Sequence, residues 1–396
     1  MIDFPANPTT GQSFQASNGA TWIWDGAKWV SGGAGSPVYL PLSGGTMTGP
    51  IIAPSGYALI DGSMARYRNR IINGDMAVDQ RNGGATITVP ASSYVIDRWR
   101  INLTTPVNNK GQAGQNINSG TNPPPLNFGW TNFLGWQTLT AYALTATDNA
   151  AFVQFVEGCN FNDANWGAAG AQSIVLEFWT FASLTGTFAG SLRGNGRAYV
   201  FTFNIPTAST WTKIRLNIPG DTVTGWQVAA NAVALTLSLN IGSGANFQTT
   251  PGSWQTGNFI SAPGAVNVLG TSGAWLYLTG VALMVGAAAQ NAEPEFKKFS
   301  DNLIDCYRYF YRPAGAVLAS GYSAAANNLT GQLNRPFPVT MRAVPTQNGG
   351  VPAAPVNVNP IAVQFIYASS VIWGALNTAV GGFQLGVQSD TYDADF

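Results

Sequence analysis

The chain has 396 residues, of which 45% are hydrophobic and only 9% charged, and its 18 Lys and Arg equal its 18 Asp and Glu. This length allows two or three domains with substantial cores, and the balanced charge excludes the net field that would hold nucleic acid or an anionic membrane. The absence of histidine removes Ser-His-Asp and Cys-His arrangements and the commonest zinc ligand, so any catalysis would rest on carboxylates, and neither a cofactor nor a metal is expected.

In chain order, residues 1–35 read as a small β unit. Asn18-Gly19 and Asp25-Gly26 are hairpin turns between short strands, and Phe14, Trp22, Trp24 and Trp29 are spaced to cluster as a core or to form a sugar platform. Residues 36–66 follow, and within them "YLPLSGGTMTGPIIAPSGYALIDGS" is too broken by glycine and proline for helix or long strand yet rich in apolar residues that something must cover. Identical copies wrapped around one another would bring Leu42, Met47, Ile51 and Ile52 against their counterparts, with the glycines permitting close approach.

From about residue 68, Arg66, Arg68, Arg70, Arg81, Arg98 and Arg100 lie near Asp75, Asp79 and Asp97, as an ion-pair network or a basic patch. Between 170 and 285 the strand signal is clearest. Lys213–Ile218 and Ala234–Ile241 alternate with period two, each with one apolar and one polar face, and residues 174–181, 199–205 and 275–284 read as covered central strands. "SLRGNGRAY" reads as a hairpin turn, not a phosphate loop, because no helix or Lys-Ser/Thr follows. The whole predicts a mainly all-β antiparallel sandwich of jelly-roll type.

One helix of about fourteen residues is expected in "AEPEFKKFSDNLIDCYRYFY", with Phe296, Phe299, Leu303, Cys306, Tyr307 and Phe310 on its apolar stripe, Glu293 and Glu295 at its start and Arg308 near its end. After Pro313 comes a last β unit whose stretch from Ala343 to Ser389 holds no charge, a surface suited to burial between chains. Its acidic end (Asp390, Asp393, Asp395) reads as a solvated tail, lacking the glycine-centred loop of a calcium site. Cys159 and Cys306 read as packed free thiols, one disulfide being formally possible. No run reaches the roughly 18 apolar residues of a membrane span, and "MIDFPANPTTGQ" lacks signal-peptide regions, so synthesis in a cytoplasm without membrane insertion is expected.

These stretches carry a resemblance. "LPLSGGTMTGPI" is similar to a repeat that joins domains in phage tail fibres, where an intertwined trimeric stalk is the rule. "FPANPTTGQSFQASNGATWIWDGAKW" is similar to a small N-terminal module of phage virion proteins. From 68 to 312, "NRIINGDMAVDQR", "YVIDRWRI", "TWTKIRLNIPGDTVTGW", "LYLTGVALMVG" and "EFKKFSDNLIDCYRYF" resemble, in order, the carbohydrate-binding-module-like jelly-roll domain of phage tail-fibre and collar-type proteins. "RPFPVTMRAVPT" resembles the small β domain that follows it. The family's "EVGxxATPFExR" reads "MVGAAAQNAEPEFKK" here, with an insertion that keeps Phe296 and loses the Arg after it.

The resemblance implies a virion-attachment module (1–35), an intertwined stalk (36–66), a jelly-roll sandwich (67–292), a packed helix (293–312) and a C-terminal β domain (313–396). The implied protein is a homotrimeric fibre on the tail or collar of a bacteriophage particle, docked on other virion proteins through residues 1–35. It touches bacterial surface polysaccharide or lipopolysaccharide through the sandwich and C-terminal domain. Sugars bind by stacking on aromatic faces and by neutral hydrogen bonds, which suits this composition. Trp130, Trp136, Trp166, Trp226 and Trp254, in loop-like surroundings, are the glycan-binding candidates, and each is also a candidate for the core. A purely structural collar, whisker or head-decoration fibre is the alternative. A depolymerase is a third reading, drawing its carboxylates from Asp148, Glu157, Asp163, Glu177 and Asp221.

Overall fold

The computed structural model describes residues 3–17, 19–31, 69–286, 297–324, 329–352 and 357–396. The stalk residues Leu42, Met47, Ile51 and Ile52 lie outside the described residues, as do Arg66, Arg68, Glu293, Glu295 and Phe296. The chain divides into two compact units, Met1–Ser63 and Met64–Phe396.

The first unit holds an antiparallel meander of β1 (Ser13–Gln15), β2 (Thr21–Trp24) and β3 (Trp29–Ser31). The turn between β2 and β3 is set by Asp25, whose carboxylate accepts from the backbone N–H of Ala27 and Lys28 at 2.8 Å each, and by Gly26 at φ +104°. Phe4 stacks on Trp29 with centroids 5.2 Å apart and meets Phe14 and Trp22 edge-on. The aromatics cluster as their spacing predicts.

In the second unit the strands run β4 (Ile87–Thr88), β5 (Ser93–Ile96), β6 (Trp99–Leu103), β7 (Gly111–Gln115), β8 (Leu134–Thr138), β9 (Asn149–Glu157) and β10 (Ile174–Ala182). They continue as β11 (Gly186–Gly194), β12 (Arg197–Ile205), β13 (Thr212–Ile218), β14 (Val233–Ser243), β15 (Trp254–Thr256) and β16 (Trp275–Val285). They form a six-stranded sheet, β13-β10-β16-β8-β7-β4, and a seven-stranded sheet, β15-β12-β11-β14-β9-β6-β5. Every pairing in both sheets is antiparallel. Alternate residues of each sheet, such as Leu176, Phe178, Leu276 and Leu278 on one side and Leu192, Phe203, Leu235 and Leu237 on the other, share one core, with Phe178 edge-on to Phe203 at 5.1 Å. This is the jelly-roll sandwich that the period-two alternation predicts.

The polar face of β14 is covered too. Ser238 and Asn240 are buried, Ser238 accepting from Arg193 at 2.8 Å and Asn240 from Ser243 at 2.6 Å, because β14 is a central strand. "RGNGR" turns β11 into β12 through Asn195 and Gly196 at φ +52° and +67°, the geometry that favours Asn-Gly in a two-residue hairpin.

The helix α1 (Phe299–Tyr307) has nine described residues. It buries Asn302 and Cys306, whereas Phe299 is 57% exposed. The predicted stripe breaks because the chain leaves the helix at Tyr307, and Phe310 begins a strand paired with Asp393. Beyond it lie β17 (Phe310–Tyr311), β18 (Val317–Ser323), β19 (Leu329–Pro336), β20 (Thr346–Pro352), β21 (Val358–Ile366), β22 (Ser370–Asn377) and β23 (Gly381–Asp393). β17, β18 and β20 pair with β23, while β22 sits between β19 and β21. The two sheets share a core that includes Leu333, Trp373, Leu385 and Tyr392.

Three expectations are corrected here. The acidic end is not a solvated tail. Asp395 pairs with Arg98 and, at 2.5 Å, with Arg81; Asp393 pairs with Arg81 at 2.9 Å; and Asp390 pairs with Arg335 at 3.2 Å. The Arg98 and Asp395 side chains are 1% and 2% exposed. Arg81 and Arg98 therefore find their partners in Asp393 and Asp395, and Arg70 in Asp163, not in the nearby Asp75 and Asp79. Asp75 accepts from Asn302 at 2.9 Å, and Asp79 accepts from the N–H groups of a local turn. Both cysteines are free as expected, but only Cys306 is buried; Cys159 is exposed, on the short 3-10 turn after β9.

Asp97 sits within this clasp and accepts from the backbone and side-chain N–H of Gln80 at 2.6 and 2.7 Å. Burial pushes its carboxyl up to about 7, against the pull of Arg81 and the Gln80 bonds. A carboxyl that holds its proton more tightly when folded gives full stabilisation below its unfolded value of ~3.9, and this is lost as pH rises through the folded value. With no histidine in the chain, few other groups titrate between pH 5 and 8. The thermal midpoint should fall as pH rises from about 4 to 7, and Asp97→Asn should flatten that slope in scanning calorimetry; an unchanged slope would exclude Asp97 as its source.

Candidate functional site

Four of the five nominated tryptophans are core residues and present no face to a ligand. Trp136 is fully buried against Gly111, where an added Cβ would lie 2.1 Å from its ring, and donates to Thr138 Oγ at 3.1 Å. Trp130 is buried and covers the backbone of Gly280, which takes φ +60° beneath it. Trp166 and Trp226 are buried, and their indoles donate to Gln172 O at 2.7 Å and to Asp221 Oδ2 at 3.0 Å. Their loop surroundings misled because those loops fold over the sandwich, and a large apolar ring is stabilised most where it is fully covered. Trp254 is half-buried. It meets Trp166 and Trp226 edge-on at 5.0 and 5.3 Å, packs on Tyr199 at 5.4 Å and donates to Pro219 O at 2.9 Å.

The carboxylate candidates are all engaged. Glu157, fully buried, accepts from Arg308 at 2.8 and 3.0 Å and from Tyr309 Oη at 2.6 Å. Glu177 pairs with Arg215 and, at 3.0 Å, with Lys213. The two lie on different sheets, on β9 and β10. Asp163 pairs with Arg70 at 2.6 Å, and Asp221 pairs with Arg197. Asp148 is buried, which alone would raise its value, but bonds from Thr145, Tyr142 and Thr104 prevail and hold the carboxyl below the usual range. Among the described residues no cluster of three or more metal-ligating side chains occurs.

An aromatic face lies instead on the outer side of the six-stranded sheet. Leu276 and Leu278 point into the core, so Trp275 and Tyr277 point out, and on neighbouring β10 the outward residues are Trp179 and Phe181. Phe181 and Tyr277 stack at 5.6 Å, Trp275 follows at 6.4 Å from Tyr277, and Trp211 tilts against Phe181 at 5.2 Å. The segment between β7 and β8 crosses part of this face. Asn122 donates to Tyr277 Oη at 3.3 Å, Pro123 O accepts from Trp211 Nε1 at 2.9 Å, and Phe128, 53% exposed, stacks on Trp179 at 4.1 Å. Tyr277, Phe181 and Trp179 are thereby buried, and the half-buried rings are Trp211 and Trp275 at the rims.

Beside Trp275 lies an amide trio. Gln137 is its cross-strand partner and Gln112 is the partner of Gln137, which sets all three side by side. Gln137 Oε1 accepts from Gln112 at 2.8 Å and from Asn118 at 3.2 Å. Each primary amide offers two donors and an acceptor, so the trio keeps hydrogen-bonding capacity beside an aromatic ring. On the neighbouring edge of the sheet Glu177 is paired with both Lys213 and Arg215. Such a surface can stack an apolar ring face and pair neutral hydroxyls without selecting for charge. The signal that finds Trp275 is strand parity in "WLYLTG"; loop-like context does not find it.

A second feature lies where the sheets part. The mouth of the core between β12 and the edge strand β13 is a groove of about 260 Å3, walled by Tyr199, Phe201, Leu216 and Ile218 and rimmed by Pro251 and Gly252.

No family model matches the chain, and no curated protein does. Among solved structures the chain is similar to a putative sugar binding protein from Bacteroides thetaiotaomicron, at 12% identity over 55% of this chain and 99% of that one, with a TM-score of 0.31. It is similar to TmCBM61 in complex with beta-1,4-galactotriose, at 9% identity over 55% and 99%, with a TM-score of 0.27. A third is the family 11 carbohydrate-binding module from Clostridium thermocellum in complex with a beta-1,3-1,4-mixed-linked tetrasaccharide, at 10% identity over 48% and 89%, with a TM-score of 0.23. Scores this low carry no argument about ligand, and the sandwich stands on its own strand order and packing.

Proposed function

We propose that this chain is a fibre protein of a bacteriophage particle that binds neutral host-surface glycan, without catalysis, through the outer aromatic face of its sandwich. The observation that carries the glycan reading is the pairing of half-buried Trp275 with the Gln112, Gln137 and Asn118 amides on a surface whose Glu177, Lys213 and Arg215 are ion-paired. Virion attachment through residues 1–35 and the trimeric stalk rest on the sequence motifs. The charge-free stretch 343–389, which exposes Phe365 and Tyr367 by 52% and 50%, supports a further contact between copies. Trimeric display would multiply a weak single-site affinity.

Probing an array of bacterial surface polysaccharides with the full-length protein tests the reading. Retention of neutral glycans, little changed by raised salt, is expected. Absence of binding at high protein concentration would leave the purely structural fibre as the better account, and release of reducing sugar would make the protein a depolymerase. Light scattering should give three times the chain mass.

A further inference from the structure

We infer that the groove between β12 and β13 is a subsite for an acetamido sugar. The inference rests on the glycan reading but concerns a surface separate from the Trp275 face. β13 ends its sheet, and β15 covers β12 only at Arg197–Tyr199, leaving the rest of that side of β12 without a strand partner among the described residues. Val200 O on that side is capped by Gly252 N–H at 2.9 Å. In an extended strand the backbone groups of alternate residues point the same way, so the N–H and C=O of Thr202 face the groove that Thr202 helps to line. They have no backbone partner among the described residues.

The groove thus offers the unpaired N–H and C=O of one half-buried residue, and such an open strand edge is a template for pairing. Behind it stand the aliphatic side chains of Leu216 and Ile218 and the rings of Tyr199 and Phe201. No charged side chain lines the groove, which selects a neutral ligand. A secondary acetamide matches this set: its C=O accepts from the Thr202 N–H at the strand edge, its N–H stays free for a second partner, and its methyl enters the apolar mouth. The volume of about 260 Å3 falls below the ~300–1,000 Å3 of drug-sized sites and suits a single sugar residue.

Saturation-transfer NMR on the full-length protein, with the methyl glycosides of N-acetylglucosamine, N-acetylgalactosamine and glucose as probes, tests this. The acetyl methyl should receive the strongest transfer, and glucoside should bind at least about tenfold more weakly. Pro251→Trp, on the exposed rim, and Leu216→Lys, which places an ammonium in the mouth, should each abolish the acetamido signal while polysaccharide binding at the Trp275 face persists. Equal binding of glucoside and acetamido glycosides, no acetamido signal, or a signal untouched in a folded Pro251→Trp protein would overturn the subsite. Polysaccharide retention, measured alongside, decides the broader glycan reading independently.

Discussion

Replacing Asp395 by alanine should destabilise the second unit by about 3–5 kcal/mol, because it strands the buried Arg98 guanidinium without its counter-charge. At an unfolding entropy of ~2.1 cal/mol/K per residue, this lowers the melting temperature by roughly 4–7 °C for cooperative melting of a unit this size. Arg98→Met should cost less, since Asp395 keeps Arg81 at 2.5 Å through Oδ2, and only Asp395 Oδ1 and Phe155 O lose their Arg98 donors. The order is diagnostic: in the Asp395→Ala background, Arg98→Met should recover stability, because it removes the stranded charge. Additive losses in that cycle would mean that the clasp acts through packing alone, with Arg98 lying over the Tyr309 ring at 3.5 Å. The clasp joins residues about 300 positions apart and fixes the C-terminal sheets to the sandwich, so limited proteolysis of Asp395→Ala should release the C-terminal sheets first.

Trp275→Ala should weaken neutral-glycan binding by about 2 kcal/mol, a roughly 30-fold rise in Kd, the loss typical of removing a central aromatic contact. Trp275 also packs on Tyr277, so some loss of stability will accompany it. Gln137→Ala and Gln112→Ala remove only half-buried amides, and each should raise Kd severalfold with little change in melting temperature. Trp226→Phe, within the core and bonded to Asp221, should lower stability and leave affinity unchanged. That contrast separates a residue that touches sugar from one that holds the fold.

The strands were legible wherever alternation was strict. Lys213–Ile218 lies within β13 and Ala234–Ile241 within β14, because period two follows directly from strand geometry. The helix was legible in kind but not in extent, since the apolar spacing runs across the break at Tyr307 into a strand. Asp395 and its arginines were not legible as partners, because nothing local marks a contact made 297 residues apart. The tryptophans show the same limit from the other side. Local context places Trp166 and Trp226 in loops, and only tertiary packing shows that those loops close over them. Trp275 was readable in principle: Leu276 and Leu278, its inward neighbours, assign it to the outer face.

The most direct test of the central claim is calorimetric titration of a neutral host-surface polysaccharide into the full-length protein and its Trp275→Ala and Gln137→Ala variants, all shown to be folded. The account predicts saturable binding by the wild type, a roughly 30-fold weakening in the first variant and a smaller one in the second. Equal affinities for all three proteins would show that the outer aromatic face of the six-stranded sheet does not hold the sugar.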